Sequence, residues 1–348
     1  MSESTIGSRR KFLGTAAGGV AIAGAPAVVR AQQKTRWRCQ SMWSAAELTY
    51  KAFEDFCQRV AAATNGRLEI QPFAAGSVTG VFETLDAVSA GVLDAHSTAP
   101  VYFTGKDPGF AVIGDLVFGY QHPWQAEAWY HHRGGLEMLR EAYARFNVYP
   151  VGVSWWGVEA LVSKRPLRST DDFKGMKVRT PQGMFAEIIT KLGASVVVVP
   201  GGEVYSALDK GVVDAADWAT ESMNNRMGFF EVAKHSVRLD HSMPVQEFAV
   251  NMRQWNALPA DIKQILTSLT REWSWDQVQR VAVEDAKALA AMREKGVTPF
   301  HWPDDQLAKM RTMARTTWED WSKKSPLAKR AYESQTAWLR ELGVLKAG

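Results

Sequence analysis

Past residue 34 the apolar and polar positions fall into short blocks whose period switches between two and about 3.6, the mark of alternating strands and helices. Residues 36–40 alternate and predict a strand. Ser44 then reads as the cap of a helix carrying Phe53, Phe56, Val60 and Ala63 at helical spacing, with Asn65-Gly66 as its stop. Residues 68–73 alternate again. A helix is expected over 80–90, Gly91 closes it, and 92–96 begins a third strand.

The same order returns further on. Residues 176–180 predict a strand, 183–192 a helix stopped by Gly193, and 194–199 a β-branched strand expected to be buried on both faces. A helix over 203–210 is closed by Gly211, and 212–217 predicts a strand. Ala90-Gly91-Val92-Leu93-Asp94-Ala95 thus echoes Lys210-Gly211-Val212-Val213-Asp214-Ala215 at the same step of two β-α-β-α-β units. The expectation is two α/β lobes, each a sheet covered by helices, with ligands bound beyond the carboxyl ends of the strands.

The last third reads as helical. Residues 261–295 contain no proline or glycine. One helix of that length would span about 50 Å, at 1.5 Å per residue, and would suit a strut across both lobes. Its expected inner stripe is Trp275, Val278, Ala282, Ala286, Leu289 and Met292. Pro303-Asp304-Asp305 and Pro326 start two further helices. The division expected is 34–153 with about 243–284 for lobe I, and 154–242 with about 285–348 for lobe II and the C-terminal helices.

The opening residues have another character. Ser8-Arg9-Arg10-Lys11-Phe12-Leu13 is a twin-arginine signature, followed by a Gly- and Ala-rich apolar run and a small-residue cut site at Val29-Arg30-Ala31. Residues 1–31 therefore read as a twin-arginine (Tat) signal peptide, and the working protein is expected in the periplasm. No segment past the leader reaches 18 consecutive apolar residues, so no spanning helix is expected. Removing the leader's four basic groups and one acid from the 41 and 37 of the whole chain leaves 37 against 36. The net charge of +4 thus largely belongs to the leader, and no case for nucleic acid follows. Cys39 and Cys57 are the only cysteines, one in a predicted strand and one in a predicted helix. Export permits a bridge, and two buried thiols is the plainer reading.

The chain lacks H-E-x-x-H, C-x-x-C, G-x-S-x-G, a Walker loop and G-x-G-x-x-G. His131-His132 reads as solvated surface, and Asp171-Asp172 as a helix start. No enzyme is expected. The candidate ligand residues lie where strands end. Arg179 can grip a carboxylate through two parallel hydrogen bonds. Asp217 and Trp218 close the last strand of the second unit, and His241 lies where the chain returns between lobes. Trp43, Tyr102, Trp155, Trp156 and Trp218 can wall a cleft.

These residues resemble the extracytoplasmic solute-binding proteins of TRAP transporters, the DctP-type receptors. The carrying stretches are Asn65-Gly66-Arg67-Leu68-Glu69-Ile70, the two echoed segments, Asp172-Phe173-Lys174-Gly175-Met176-Lys177-Val178-Arg179 and Pro200-Gly201-Gly202-Glu203-Val204-Tyr205-Ser206-Ala207-Leu208. The region 102–129, with Gly105-Lys106-Asp107-Pro108 and Phe118-Gly119, is similar to the branch that binds 2-oxo acids. The resemblance implies a two-lobe periplasmic binding protein fold closing over an organic anion, here a small 2-oxo or 2-hydroxy acid, aliphatic or aromatic. It implies delivery to a small and a large membrane subunit, with uptake driven by an ion gradient, and a possible homodimer through the C-terminal helices. It casts Arg179 as the carboxylate's partner. In that branch a glutamine and two acids bind a metal ion with the ligand. Here Gly157 takes the glutamine's place and His241 one acid's, leaving Asp217 as the one retained metal candidate, so no cofactor and no firm metal site are expected. A Tat-exported enzyme acting on an organic acid, and a ligand-sensing module for a membrane receptor kinase, are the rival readings.

Overall fold

The computed structural model describes residues Lys34–Leu345, and the expected leader lies outside the described residues. Two sheets form its framework. The first contains β1 (Thr35–Ser41), β2 (Leu68–Phe73), β3 (Ala95–Thr98) and β4 (Val148–Ser154). The second contains β5 (Ala160–Ser163), β6 (Lys177–Arg179), β7 (Ser195–Val197), β8 (Ala215–Ala219) and β9 (His235–Arg238). The chain then returns to add β10 (Gln246–Asn251) to the first sheet, and β11 (Phe300–His301) ends on the second. The strand orders are β2-β1-β3-β10-β4 and β11-β9-β5-β8-β6-β7.

The repeated unit is real at the level of hydrogen bonds. In each sheet the first strand of the unit lies between the second and third, all parallel. Asp94 accepts from the backbone N–H of Arg38 at 2.9 Å, and Asp214 accepts from that of Lys177 at 2.8 Å. The glycine three residues before each aspartate has φ of +77° and +71°, at Gly91 and Gly211. That left-handed turn is what glycine permits at a helix end, and it aims the aspartate back at the first strand.

The helix predicted for 261–295 is one continuous element, Ala260–Glu294, which packs on the helix Leu48–Ala63 and β4 at one end and on the helix Glu221–Arg226 at the other. Its inner face keeps part of the predicted stripe, with Met292 buried and Val278 and Leu289 half-buried. Trp275, Ala282 and Ala286 face outward, whereas Leu266, Thr270, Trp273, Ser274, Gln277 and Val281 are buried. The polar members of that face have work to do. Gln277 Nε2 donates to the carbonyl of Trp155 at 3.0 Å and to Gln246 Oε1 at 3.1 Å, pinning both crossings between the sheets.

Two local expectations are corrected. Ser44 does not cap the first helix, which starts at Leu48 after a turn in which Glu47 N–H donates to the Ser44 carbonyl. β7 is not buried on both faces, because it is the sheet's edge strand, with Ser195 exposed and Val196 and Val197 only half-buried. Cys39 and Cys57 are free, and burial pushes both thiols well above their usual range. Among the described residues no helix is long and apolar enough to cross a membrane.

Candidate binding site

The carboxyl ends of the parallel strands in both sheets open onto one cavity, with about 760 Å³ of space between its walls. Met42 and Trp43 follow β1, Val101 and Tyr102 follow β3, Arg179 and Thr180 end β6, and Asp217 and Trp218 lie on β8. The crossing after β4 contributes Trp156 and Glu159, and the return before β10 contributes Ser242.

Arg179 is the most constrained of these residues. Its side chain is 2% exposed. Nε donates to the Val199 carbonyl at 3.0 Å and Nη1 to the Asp217 carbonyl at 2.5 Å. Two of the five guanidinium donors are thereby fixed by backbone, and the rest remain for a guest. No carboxylate among the described residues forms an ion pair with it. A buried guanidinium with unused donors is costly to keep, and a bound carboxylate that takes those donors lowers the cost.

Beside it lies a cluster of acids. Asp217 receives the Thr180 hydroxyl on Oδ2 at 3.0 Å, and its Oδ1 lies 3.0 Å from His241 Nε2. Burial pushes Asp217 up, but His241 and Arg179 outweigh it and hold the carboxyl below its ordinary value. Glu159 accepts from Trp156 Nε1 at 3.2 Å. Burial, then the charges of Asp217 and Asp115, push Glu159 well up. Asp115 is pushed up to about 7 by burial, opposed by the Ser242 hydroxyl at 2.6 Å and the Met243 N–H at 3.3 Å. Burial also raises the Tyr102 phenol, and Arg179 beside it opposes the rise.

Opposite the polar groups is an aromatic wall. Trp43 meets Trp156 edge to face at 4.9 Å and Trp218 at 5.7 Å. Trp43 Nε1 donates to Gln246 Oε1 at 3.0 Å, which ties the wall to the return strand. Gly201 makes room for Trp218, since a Cβ there would stand 2.4 Å from the indole nitrogen. Phe185 packs on His241 at 4.2 Å between ring centroids.

Of the expected ligand residues, Arg179, Asp217, Trp218, Trp156, Tyr102 and Trp43 line the cavity, and His241 reaches it through Asp217. Trp155 does not. It is buried in the core against Tyr130 at 5.6 Å, because successive residues leaving a strand point to opposite sides. Glu159 and Asp115 were not expected. They add donor groups beside Asp217, the one metal candidate expected. Glu159, two residues beyond the Gly157 taken as the lost position, joins Asp217 and His241, and one ligand atom from each lies within 4.8 Å of the others. Two carboxyls and an imidazole are a donor set that fits a cation.

The description "Bacterial extracellular solute-binding protein, family 7" matches residues 39–324. The chain is similar to the monocarboxylate 2-oxoacid-binding periplasmic protein of Nostoc sp. (strain PCC 7120 / SAG 25.82 / UTEX 2576), with 30% identity over 311 residues, or 88% of this chain and 85% of that one. A TRAP periplasmic solute-binding protein from Rhodobacter sphaeroides in an apo open structure is 33% identical, with a TM-score of 0.72 over 90% of this chain and 100% of that one. One from Colwellia psychrerythraea with bound calcium and pyruvate is 25% identical, with a TM-score of 0.82 over 90% and 96%.

Proposed function

Because the chain belongs to family 7 of the bacterial extracellular solute-binding proteins, the receptors of TRAP transporters, we propose that it works in the periplasm, closes over a small 2-oxo or 2-hydroxy carboxylate and hands it to membrane subunits. The observation that carries this reading is Arg179, a buried guanidinium held by two carbonyls, with donors left over at the cavity and no carboxylate among the described residues in a salt bridge with it. Arg179 binds the carboxylate. Tyr102 and Thr180 stand beside it, and the Trp43, Trp156 and Trp218 wall covers the carbon chain, which favours an apolar or aromatic substituent. Glu159, Asp217 and His241 are the groups that would hold a ligand-associated cation, whose charge would draw in the ligand's second oxygen. The 2-oxoacid-binding relative and the pyruvate-bound neighbour support this class of ligand.

Hinge closure needs a ligand with greater affinity for the closed arrangement. A guest between β3 and β6 touches both sheets and meets that requirement. Titration calorimetry with pyruvate, 4-methyl-2-oxopentanoate, phenylpyruvate and the matching 2-hydroxy acids is expected to give one site per chain and no turnover. Equal heats from the corresponding uncharged esters would overturn the proposal.

A further inference from the structure

We propose that Gln246 is a positioning residue for cleft closure: its side-chain oxygen holds the Trp43 indole where Trp218 of the second sheet meets it, and ties that wall to the first crossing through Gln277. The inference rests on the reading of the cleft as one that closes over a carboxylate. It concerns a residue that does not itself line the cavity.

Gln246 opens β10 and pairs with Ser154, the last residue of β4, so it stands where both crossings leave the first sheet. It is fully buried, as are Gln277 on the long helix and Ser97 on β3. Its Oε1 accepts from Trp43 Nε1 at 3.0 Å and from Gln277 Nε2 at 3.1 Å, and its Nε2 donates to Ser97 Oγ at 2.7 Å. Gln277 Nε2 also donates to the Trp155 carbonyl at 3.0 Å. Chemistry forces the direction of these bonds. An indole N–H only donates and a backbone carbonyl only accepts, so the Gln246 atom facing Trp43 is oxygen and the Gln277 atom facing Trp155 is nitrogen. A continuous run of hydrogen bonds therefore joins the cleft wall to the first crossing.

The wall is also where the two sheets meet. Trp43 follows β1, yet it clusters with Trp218 and Ala219 of β8, Met223 just beyond them, Trp156 of the crossing and Val281 of the long helix. Gln246 is the one polar partner of its side chain among the described residues, since its other polar contacts are backbone ones, with the Ser41 hydroxyl and the Ala75 N–H. An open cleft offers water to the indole N–H and a closed one excludes it, so the Gln246 oxygen is needed chiefly in the closed arrangement. An interaction needed in one of two states shifts the balance between them. Glutamine suits the place because it is uncharged, accepts twice and still donates to Ser97, whereas glutamate would bring a charge into a fully buried position.

The test uses the mature protein and 4-methyl-2-oxopentanoate. Gln246→Met keeps the length of the side chain and strands the indole N–H. It is expected to raise Kd about tenfold, the effect of one orphaned hydrogen-bond donor. The loss is expected in dissociation, read by stopped-flow fluorescence, with the association rate held within about twofold. In a Trp43→Phe background there is no indole N–H to strand, and the same substitution is expected to change Kd by less than about threefold. A residue that only supports the fold would lower the melting temperature in both backgrounds and show no such coupling. Folded Gln246→Met binding within about threefold of the unaltered chain, or an equal penalty in the Trp43→Phe background, would overturn the inference. Where Gln246→Met does not fold, proton exchange at the Trp43 indole of the unaltered chain decides. Its nitrogen-15 signal, identified by its loss in Trp43→Phe, is expected to exchange about tenfold more slowly or better once the cleft is saturated, and equal exchange with and without the guest would overturn the inference. Failure of every carboxylate to bind the unaltered chain sinks the reading of the cleft and this inference with it, whereas a carboxylate that binds without regard to Gln246 sinks this inference alone.

Discussion

Replacing Arg179 with alanine removes the one cation aimed at the guest's carboxylate. The guanidinium is buried, two of its N–H groups are fixed on the Val199 and Asp217 carbonyls, and the remainder face the cavity. Truncating one member of a buried, hydrogen-bonded charge pair costs about 2–5 kcal/mol, mostly because the other charge is left buried and alone. At about 1.4 kcal/mol per tenfold change, Kd is expected to rise roughly 30- to 4,000-fold. Arg179→Lys keeps the charge but cannot span both carbonyls and the guest, so it is expected to recover only part of the loss. The assay is calorimetric titration with a short 2-oxo acid at fixed ionic strength, alongside circular dichroism showing that each variant is folded. A folded Arg179→Ala protein binding within threefold of the unaltered chain would refute the reasoning.

Three further outcomes follow from the same structure. Glu47 is buried, and burial, opposed by Arg226 and Ser44, pushes its carboxyl up from 4.5 to about 7. The folded state therefore holds a proton that the unfolded chain has lost between those values, and stability falls as pH rises through that window, by about 3 kcal/mol in all. Urea unfolding at pH 5 and pH 8 is expected to show that slope in the unaltered protein and a shallower one in Glu47→Gln; equal slopes would contradict it. Gly201→Val drives a side chain into Trp218 and is expected to weaken carboxylate binding with little loss in melting temperature, an outcome that unchanged calorimetry would reject. Trp155→Ala and Trp156→Ala are expected to separate. Both lose stability as buried truncations, by about 3–5 kcal/mol, but only the second is expected to lose carboxylate affinity as well, and a loss of affinity in folded Trp155→Ala with none in Trp156→Ala would show the wall to be misassigned.

Much of this was legible in the sequence, for identifiable reasons. The two β-α-β-α-β units could be read because Gly91 and Gly211 each sit three residues before an aspartate with the same backbone task. Arg179, Asp217 and Trp218 could be found because strand ends of a parallel sheet are where ligands bind. Glu159 was missed because it lies in the non-repeating crossing after β4, where Gly157 has φ of +120° and no period tells which side a residue faces. Trp155 and Trp156 could not be separated, since a Trp-Trp pair does not say which ring turns inward. The inner face of the long helix was misread in part, at Trp275, Ala282 and Ala286, because hydrophobicity counts these above Thr270, Ser274 and Gln277. The helix lies against the crossings, where a side-chain amide is needed to hold backbone and Gln246 together. Asp115 carries no signal beyond a loop after a short helix, and only the return segment at Ser242 and Met243 makes it part of the cavity wall.

The most direct measurement is a crystal structure of the mature protein grown with a 2-oxo acid. Two carboxylate oxygens are predicted within hydrogen-bond reach of the Arg179 guanidinium, with Trp43 and Trp218 against the carbon chain. A guest bound outside the cavity, or inside it with its carboxylate turned away from Arg179, would contradict the account.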